Sequence, residues 1–303
     1  MNGTVPAVSL RDLTKYYGDS LGVDGITFDV QPGEIVGFLG PNGSGKTTVL
    51  RMIVGLISIT RGSARVFGAD VATGGPAVRE RVGYLPGTLS LYGHMTAGEY
   101  LEFIARMRRR DCSARTLDLA RRFDLDLGRR IGDMSKGNKQ KVGVVQAFMH
   151  DPMLLVMDEP TSGLDPIVQR EFDDLLEEAR GRGASVLLSS HVMSEVERLS
   201  SHVAIINKGR LVTFDYVDSL RERLARRVIL EFATAADPST VSRVPGFVLE
   251  SCEGRHITGS MQGSQRELLQ AALTRDLVTV HSPEPTLDDL FVGLVNGGAT
   301  DAP

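Results

Sequence analysis

The segment from residue 40 to residue 47 restricts the possible folds of this chain more than any other stretch of its sequence. It follows a short apolar run and reads Gly40-Pro41-Asn42-Gly43-Ser44-Gly45-Lys46-Thr47. Apolar residues then recur at helical spacing, at Val49, Ile53, Leu56 and Ile57. A glycine-rich turn that lies between a strand and a helix and ends in Lys-Thr is typical of a phosphate-binding loop.

The residue types of this loop suit a polyphosphate ligand. Glycines let successive backbone N–H groups turn toward phosphate oxygens, and the following helix adds the positive end of its dipole. We expect Lys46 to reach the outer phosphates and Thr47 to bind Mg²⁺. The expected nucleotide contacts are Asn42, Gly43, Ser44, Gly45, Lys46, Thr47 and Thr48.

Two carboxylates come directly after another apolar run, Met153 to Met157. Ligands of open α/β sheets bind at the carboxyl ends of the strands, so Asp158 and Glu159 are expected to face the phosphates. Asp158 is predicted to bind Mg²⁺, and Glu159 to be the general base that polarises the attacking water. Pro160 disfavours the right-handed helical conformation for the residue before it, which helps to fix the direction of Glu159.

The pattern of the whole chain predicts an α/β domain followed by a small α+β domain. Near-continuous apolar strands that alternate with helical patterns are typical of a parallel sheet covered on both faces. Alternating residues near the N-terminus predict an antiparallel β subdomain, and residues 88–150 read as a helical subdomain. We predict one domain over residues 1–220 and a C-terminal accessory domain over residues 221–303.

Composition excludes several classes of protein. A formal net charge of -4 gives no reason to expect nucleic acid as a partner. No apolar run approaches the roughly 18 residues that a membrane span needs. The two cysteines, Cys112 and Cys252, have no further cysteine or histidine at metal-ligand spacing, which favours a reducing cytoplasm.

The segment Met134-Ser135-Lys136-Gly137-Asn138 resembles the signature motif of ABC ATPases, which is commonly Leu-Ser-Gly-Gly-Gln. The phosphate-binding loop, the two carboxylates, a D-loop that ends at Asp165 and a switch histidine at His191 complete the order and spacing of this family. The resemblance covers about residues 8–215. It implies a P-loop ABC ATPase core with a mostly parallel sheet, an antiparallel β subdomain and a helical subdomain.

A narrower resemblance rests on the Ser-Lys-Gly-Asn signature and on a C-terminal segment, Pro285 to Phe291. Both are similar to bacterial drug-exporter ATPases of the daunorubicin and tetronasin resistance type. This resemblance implies ATP hydrolysis at the cytoplasmic face of a membrane, coupled to a separate transmembrane permease that exports drugs or other lipophilic compounds. The alternative is a soluble ABC ATPase that acts on ribosomes or DNA, although such proteins usually carry tandem cassettes or long coiled-coil insertions.

The resemblance also implies a second ATPase subunit. Ser135 lies 89 positions after Lys46 in a different subdomain, so it is not expected to serve its own phosphate-binding loop. In this family two cassettes face each other head to tail, most simply as a homodimer. The signature and D-loop residues of one chain then complete the site of the other, and here they are Ser135, Gly137, Asn138 and Asp165.

Two further site residues follow from the resemblance alone. His191 corresponds to the histidine that contacts the γ-phosphate, and Tyr17 to the aromatic residue that stacks on adenine, with Tyr16 as its rival. A departure from the family lies at Gly87, where a glutamine that contacts magnesium and senses the permease is usual.

The basic cluster Arg106, Arg108, Arg109 and Arg110 is predicted to be a solvated helix face. Lipid headgroups or the permease are the alternative partners of this cluster.

Overall fold

The computed structural model describes residues 4–223 and 225–283. The chain divides into two compact units, of which the first ends at Phe214 and the second begins at Asp215. The predicted domain boundary at residue 220 stays a prediction. The C-terminal segment from Pro285 to Phe291, which carries part of the narrower resemblance, lies outside the described residues.

The first unit contains two sheets and seven α-helices within its described residues. Its strands are β1 (Val8–Tyr17), β2 (Ser20–Val30), β3 (Ile35–Leu39), β4 (Arg61–Val66), β5 (Ala69–Asp70), β6 (Val82–Leu85), β7 (Leu154–Asp158), β8 (Ser185–Ser190), β9 (His202–Asn207) and β10 (Arg210–Tyr216), the last of which runs past the division. Its helices are α1 (Lys46–Ile53), α2 (Val71–Glu80), α3 (Ala97–Met107), α4 (Ser113–Arg122), α5 (Lys136–Phe148), α6 (Pro166–Gly181) and α7 (Met193–Leu199).

The central sheet has the strand order β10-β9-β3-β8-β7-β6. Strand β3 pairs in parallel with β8 and β9, and β7 pairs in parallel with β6 and β8. Every residue of β3, β7 and β8 is buried, which explains their near-continuous apolar sequences. Because these strands are parallel neighbours, their carboxyl ends meet at one edge, where Leu39 pairs with Ser190 and Asp158 pairs with Ser189.

The second sheet of the first unit has the order β2-β1-β4-β5, and its pairings are antiparallel. Together with the parallel sheet and the helices α3 to α5, it confirms the predicted α/β fold class. Helix α1 is shorter than the apolar spacing suggested. Gly55 has a φ of 69° just after the helix, so Leu56 and Ile57 lie beyond its end.

The second unit contains the helices α8 (Val217–Arg223) and α9 (Arg266–Leu273). Its sheet has the order β12-β13-β11-β14, formed by β11 (Arg226–Phe232), β12 (Phe247–Glu253), β13 (His256–Met261) and β14 (Leu277–His281), all antiparallel. Val228, Leu230, Ile257 and Leu268 are fully buried in its own core. Across the described part of both units, every helix is too short or too polar to cross a bilayer.

Candidate functional site

A cleft of about 420 Å³ opens at the carboxyl ends of β3 and β7. Leu21, Gly22, Gly87 and Thr88 form part of its wall. The cleft also brings together most of the predicted phosphate and magnesium residues, which are Asn42, Gly43, Ser44, Gly45, Lys46, Thr47, Thr48, Asp158 and Glu159.

The phosphate-binding loop is held in an open turn by its glycines and by contacts with neighbouring loops. Gly45 has a φ of 109°, and a Cβ at this position would lie 2.4 Å from Val23 Cγ1, so only glycine fits there. The N–H of Gly209 donates to the Ser44 carbonyl at 2.9 Å. The Ser44 hydroxyl is buried and has no partner within the described protein, which leaves a donor and an acceptor in the cleft for a phosphate.

Lys46 begins α1 and is almost fully buried. Its Nζ donates to the carbonyls of Gly40 at 2.6 Å and Pro41 at 3.2 Å, so the ammonium lies across the loop. Burial lowers the pKa of Lys46, and the carboxylates of Glu159 and Asp158 oppose that shift. The chain therefore places a cation, Lys46, beside the loop where the outer phosphates of a nucleotide would lie.

Thr47 and Asp158 form an oxygen pair that suits Mg²⁺. The Thr47 hydroxyl donates to Asp158 Oδ2 at 2.7 Å, and the Ser189 hydroxyl donates to Asp158 Oδ1 at 2.5 Å. Mg²⁺ prefers oxygen ligands and commonly takes one or two from the protein, with phosphates and water completing its shell. Hard oxygen donors beside an open cleft therefore fit the cofactor predicted from the sequence.

Glu159 has an unusual backbone conformation that aims its carboxylate. Its φ is 50°, in the left-handed region, which agrees with the expectation that Pro160 keeps it out of the right-handed helical region. The N–H of Glu159 donates to the carbonyl and the hydroxyl of Ser189, both at 3.1 Å. Glu159 Oε1 lies 3.1 Å from His191 Nδ1, so the structure brings two predicted catalytic residues together.

Three polar residues that the sequence did not single out hold these loops. Besides Ser189, they are Gln140 on α5, whose Nε2 donates to the Pro160 carbonyl at 2.7 Å, and Glu195 on α7. Glu195 accepts hydrogen bonds from Thr161 and from Ser190, both at 2.8 Å. Of these three residues, only Ser189 had a signal in the sequence, because it is one of two serines that end an otherwise apolar strand.

The signature and D-loop residues do not line the phosphate cleft of their own chain. Ser135 caps α5 by accepting the N–H of Asn138 at 3.3 Å, and Asp165 caps α6. Backbone N–H groups of that helix lower the pKa of the Asp165 carboxyl. A Cβ on Gly137 would lie 2.7 Å from the Gly163 carbonyl, so the signature helix and the D-loop touch.

Tyr17 is half exposed and lies next to the cleft without lining it. Its Cε2 lies 3.0 Å from the position that a Cβ on Gly22 would take, and Gly22 is part of the wall. Lys15 Nζ lies 5.3 Å from the centre of the Tyr17 ring. Tyr17 therefore stays a predicted adenine contact, and Tyr16, also exposed, stays its rival.

Gly87 lies against Asp158, the carboxylate that pairs with Thr47. A Cβ at this position would be 3.1 Å from Asp158 Oδ2, a tight contact that would require the carboxylate to shift by a few tenths of an ångström. The absence of a side chain leaves this side of Asp158 open to the cleft.

An open parallel sheet, a glycine-rich loop between a strand and a helix, a hydroxyl–carboxylate pair and a second carboxylate at the same cleft are the features of nucleotide hydrolases of the P-loop class. The family model described as ABC transporter matches residues 23–162. The bacitracin transport ATP-binding protein BcrA of Bacillus licheniformis is 33% identical over 96% of this chain and 98% of its own length. The chain therefore belongs to the ATP-binding proteins of the ABC transporter family, and it is an ATPase.

Other relatives and solved structures agree with this assignment. The Nod factor export ATP-binding protein I of Rhizobium etli is 31% identical over 95% of this chain and 93% of its own length. A solved ATP-binding subunit of an ABC transporter has a TM-score of 0.67 and 33% identity, and covers 71% of this chain and 92% of that one. A dimeric cassette bound to ADP and Pi, with a TM-score of 0.62 and 21% identity over 69% of this chain and 98% of that one, supports the fold.

Proposed function

We propose that this chain is the ATP-hydrolysing subunit of an exporter and drives a separate transmembrane permease from the cytoplasmic face of the membrane. The observation that carries this proposal is the similarity to BcrA over nearly the whole length of both chains, including the C-terminal unit. One relative is named for bacitracin transport and another for Nod factor export, which supports a transport role, and we propose a drug or another lipophilic compound as the cargo. Within that group we assign the chain to the drug exporters of the daunorubicin and tetronasin type.

The chemistry of hydrolysis follows from the side chains of the cleft. Lys46 and the backbone N–H groups of the loop neutralise and hold the phosphates, since phosphoryl transfer depends mainly on positioning and electrostatics. Thr47 and Asp158 would hold Mg²⁺, which supplies further positive charge when bound. Glu159 accepts a proton from the attacking water. His191 Nδ1 lies 3.1 Å from Glu159 Oε1 and orients that carboxylate.

A second copy of the chain completes the site in this proposal. Ser135 and Gly137 lie at the start of α5, whose free N–H groups favour a γ-phosphate, and they do not line their own cleft. Two chains packed head to tail would each lend this helix end, together with Asp165, to the other. ATP then holds the dimer closed until hydrolysis removes the shared phosphate.

The base is tested with Glu159→Gln. We expect this variant to bind ATP, to accumulate as a closed dimer on size-exclusion chromatography, and to hydrolyse ATP about 10²- to 10⁴-fold more slowly. Glu177→Gln, which changes an exposed glutamate on α6, serves as the matched control and keeps normal turnover. Hydrolysis by Glu159→Gln at the normal rate would show that another group is the base.

The transport function is tested by purifying the chain from detergent-solubilised native membranes and identifying what accompanies it by mass spectrometry. We expect a polytopic membrane protein in stoichiometric amount. Recovery with ribosomal proteins, and absence from membranes, would contradict the transport proposal while leaving the ATPase chemistry intact.

A further inference from the structure

A second cleft lies at the amino ends of β6 and β7, at the opposite end of these strands from the phosphate cleft. It has a volume of about 470 Å³. Four arginines line it together with two carboxylates, and we call it the arginine cleft: Arg81, Arg108, Arg109, Arg110, Glu80 and Asp151. Strand β7 has five residues and spans roughly 16 Å, so both clefts can be occupied at once.

Two arginines of this cleft are held by backbone carbonyls, whereas the sequence predicted a solvated helix face. Arg108 is half buried, and its guanidinium donates to the carbonyls of Arg79 at 3.4 Å and Val82 at 3.2 Å. Arg110 donates to the His150 carbonyl at 2.9 Å. These hydrogen bonds to backbone carbonyls hold Arg108 and Arg110 in place. Because a guanidinium has five N–H donors, each of the two still has donors for a ligand.

The charge of the cleft is not balanced by its own carboxylates. Asp151 is shared with two arginines outside the lining, since it lies 3.5 Å from Arg115 Nε and 3.4 Å from Arg182 Nη2. Burial, and then the positive charge of Arg108 and Arg110, lower the pKa of the adjoining His150 to about 4. The surroundings of the cleft therefore have a positive potential, which favours an anion.

Arg109 adds an exposed charge at a position where the backbone favours glycine. It follows the end of α3 with a φ of 54°, the left-handed conformation that usually closes a helix with glycine. An arginine there costs stability, whereas a glycine would relieve the strain. Arg109→Gly therefore removes one charge of the cleft without endangering the fold.

We propose that the arginine cleft binds the phosphate ester of an anionic phospholipid headgroup. Guanidinium groups bind phosphate oxygens through paired N–H donors, and fixed arginines lose little freedom in doing so. The choice of a lipid as the source of the phosphate rests on the proposed function, because a subunit bound to a membrane permease works next to the headgroups. Occupation of the cleft would add a membrane contact to the one that the permease provides.

The test is binding of the purified chain to vesicles of phosphatidylcholine alone and of phosphatidylcholine with phosphatidylglycerol, measured by co-sedimentation. The double variant Arg81→Ala/Arg109→Gly removes two exposed cleft charges, and Arg65→Ala/Arg170→Ala removes two exposed charges elsewhere in the first unit. We expect binding to the anionic vesicles only, about 20-fold weaker for the cleft variant and little changed for the control. ATPase activity without vesicles, expected to be normal in both, shows that the variants are folded.

Equal loss of binding in the two variants would overturn the site, because net charge alone would then explain the binding. Binding of glycerol 3-phosphate that the cleft variant abolishes, without binding to vesicles, would overturn the lipid as the source. Neither measurement involves the permease. If the chain binds anionic vesicles through the cleft but no membrane protein accompanies it from native membranes, the transport function fails while the lipid site stands.

Discussion

Removal of the Ser189 hydroxyl tests how the Asp158 carboxylate, the proposed ligand of Mg²⁺, is held in position at the cleft. Asp158 is almost fully buried, and Ser189 donates to its Oδ1 at 2.5 Å while Thr47 donates to Oδ2. The N–H of Glu159 keeps the Ser189 carbonyl as its acceptor when the hydroxyl is gone. Ser189→Ala therefore affects Asp158 and leaves Glu159 in place.

The magnitude follows from the type of hydrogen bond. A bond to a charged group contributes about 1.5–3 kcal/mol, and a neutral bond about 1 kcal/mol. Ser185 lies on the same strand, is also fully buried, and makes only neutral contacts, with Gln31 and Gly33. The Ser185 hydroxyl makes two neutral bonds, so we expect Ser185→Ala to lower the free energy of unfolding by about 2 kcal/mol. The Ser189 hydroxyl makes one bond to a charged group and one neutral bond, so we expect Ser189→Ala to lower it by about 3 kcal/mol.

The two variants should differ more in activity than in stability. A carboxylate that can rotate holds Mg²⁺ less well, so Ser189→Ala should need more Mg²⁺ for half-maximal ATPase activity and lose about 10- to 100-fold in kcat/KM. Ser185→Ala should match the unchanged protein in both values. The measurements are urea unfolding and steady-state ATPase activity over a range of Mg²⁺ concentrations. Equal Mg²⁺ requirements in the two serine variants would refute the positioning role of Ser189.

Two further predictions concern single residues. His150 has a pKa of about 4 in the folded chain, against an ordinary value of 6.5. As the pH falls, the unfolded chain therefore binds a proton at His150 before the folded chain does. This difference should lower the free energy of unfolding by about 2 kcal/mol between pH 7 and pH 5. Denaturant titrations should show a smaller loss for His150→Gln, and an undiminished loss would contradict the assignment. Gly87→Ala should reduce ATPase activity more than ATP binding, because its methyl group would press on Asp158; normal turnover would show that this side of the carboxylate is unimportant.

Local motifs made much of the site predictable. Glycines, a lysine and a threonine that follow one another along the chain must share one turn, so the sequence alone placed the phosphate-binding loop between β3 and α1. The carboxyl-edge rule for parallel strands likewise predicted that Asp158 and Glu159 would face that loop, and they line the same cleft.

Contacts between distant parts of the chain were not predictable in this way. Gln140 reaches Pro160 across 20 positions, and Glu195 reaches Thr161 across 34, so neither spacing carries a helical or strand period. The solvated face expected for the basic cluster was wrong for Arg108, because the end of α3 packs beside the start of β6 and the guanidinium meets backbone carbonyls there. Composition indicates that arginines prefer water, but it does not show which carbonyls lie within their reach.

The left-handed backbone of Glu159 has a consequence for the engineering of this protein. A residue other than glycine in that conformation costs of order 1 kcal/mol, so the chain gives up stability at the position of its proposed base. A library selected only for thermal stability would enrich glycine or asparagine at position 159. The selected proteins would be more stable and would no longer hydrolyse ATP. Directed evolution of this ATPase therefore needs a selection for turnover at every round.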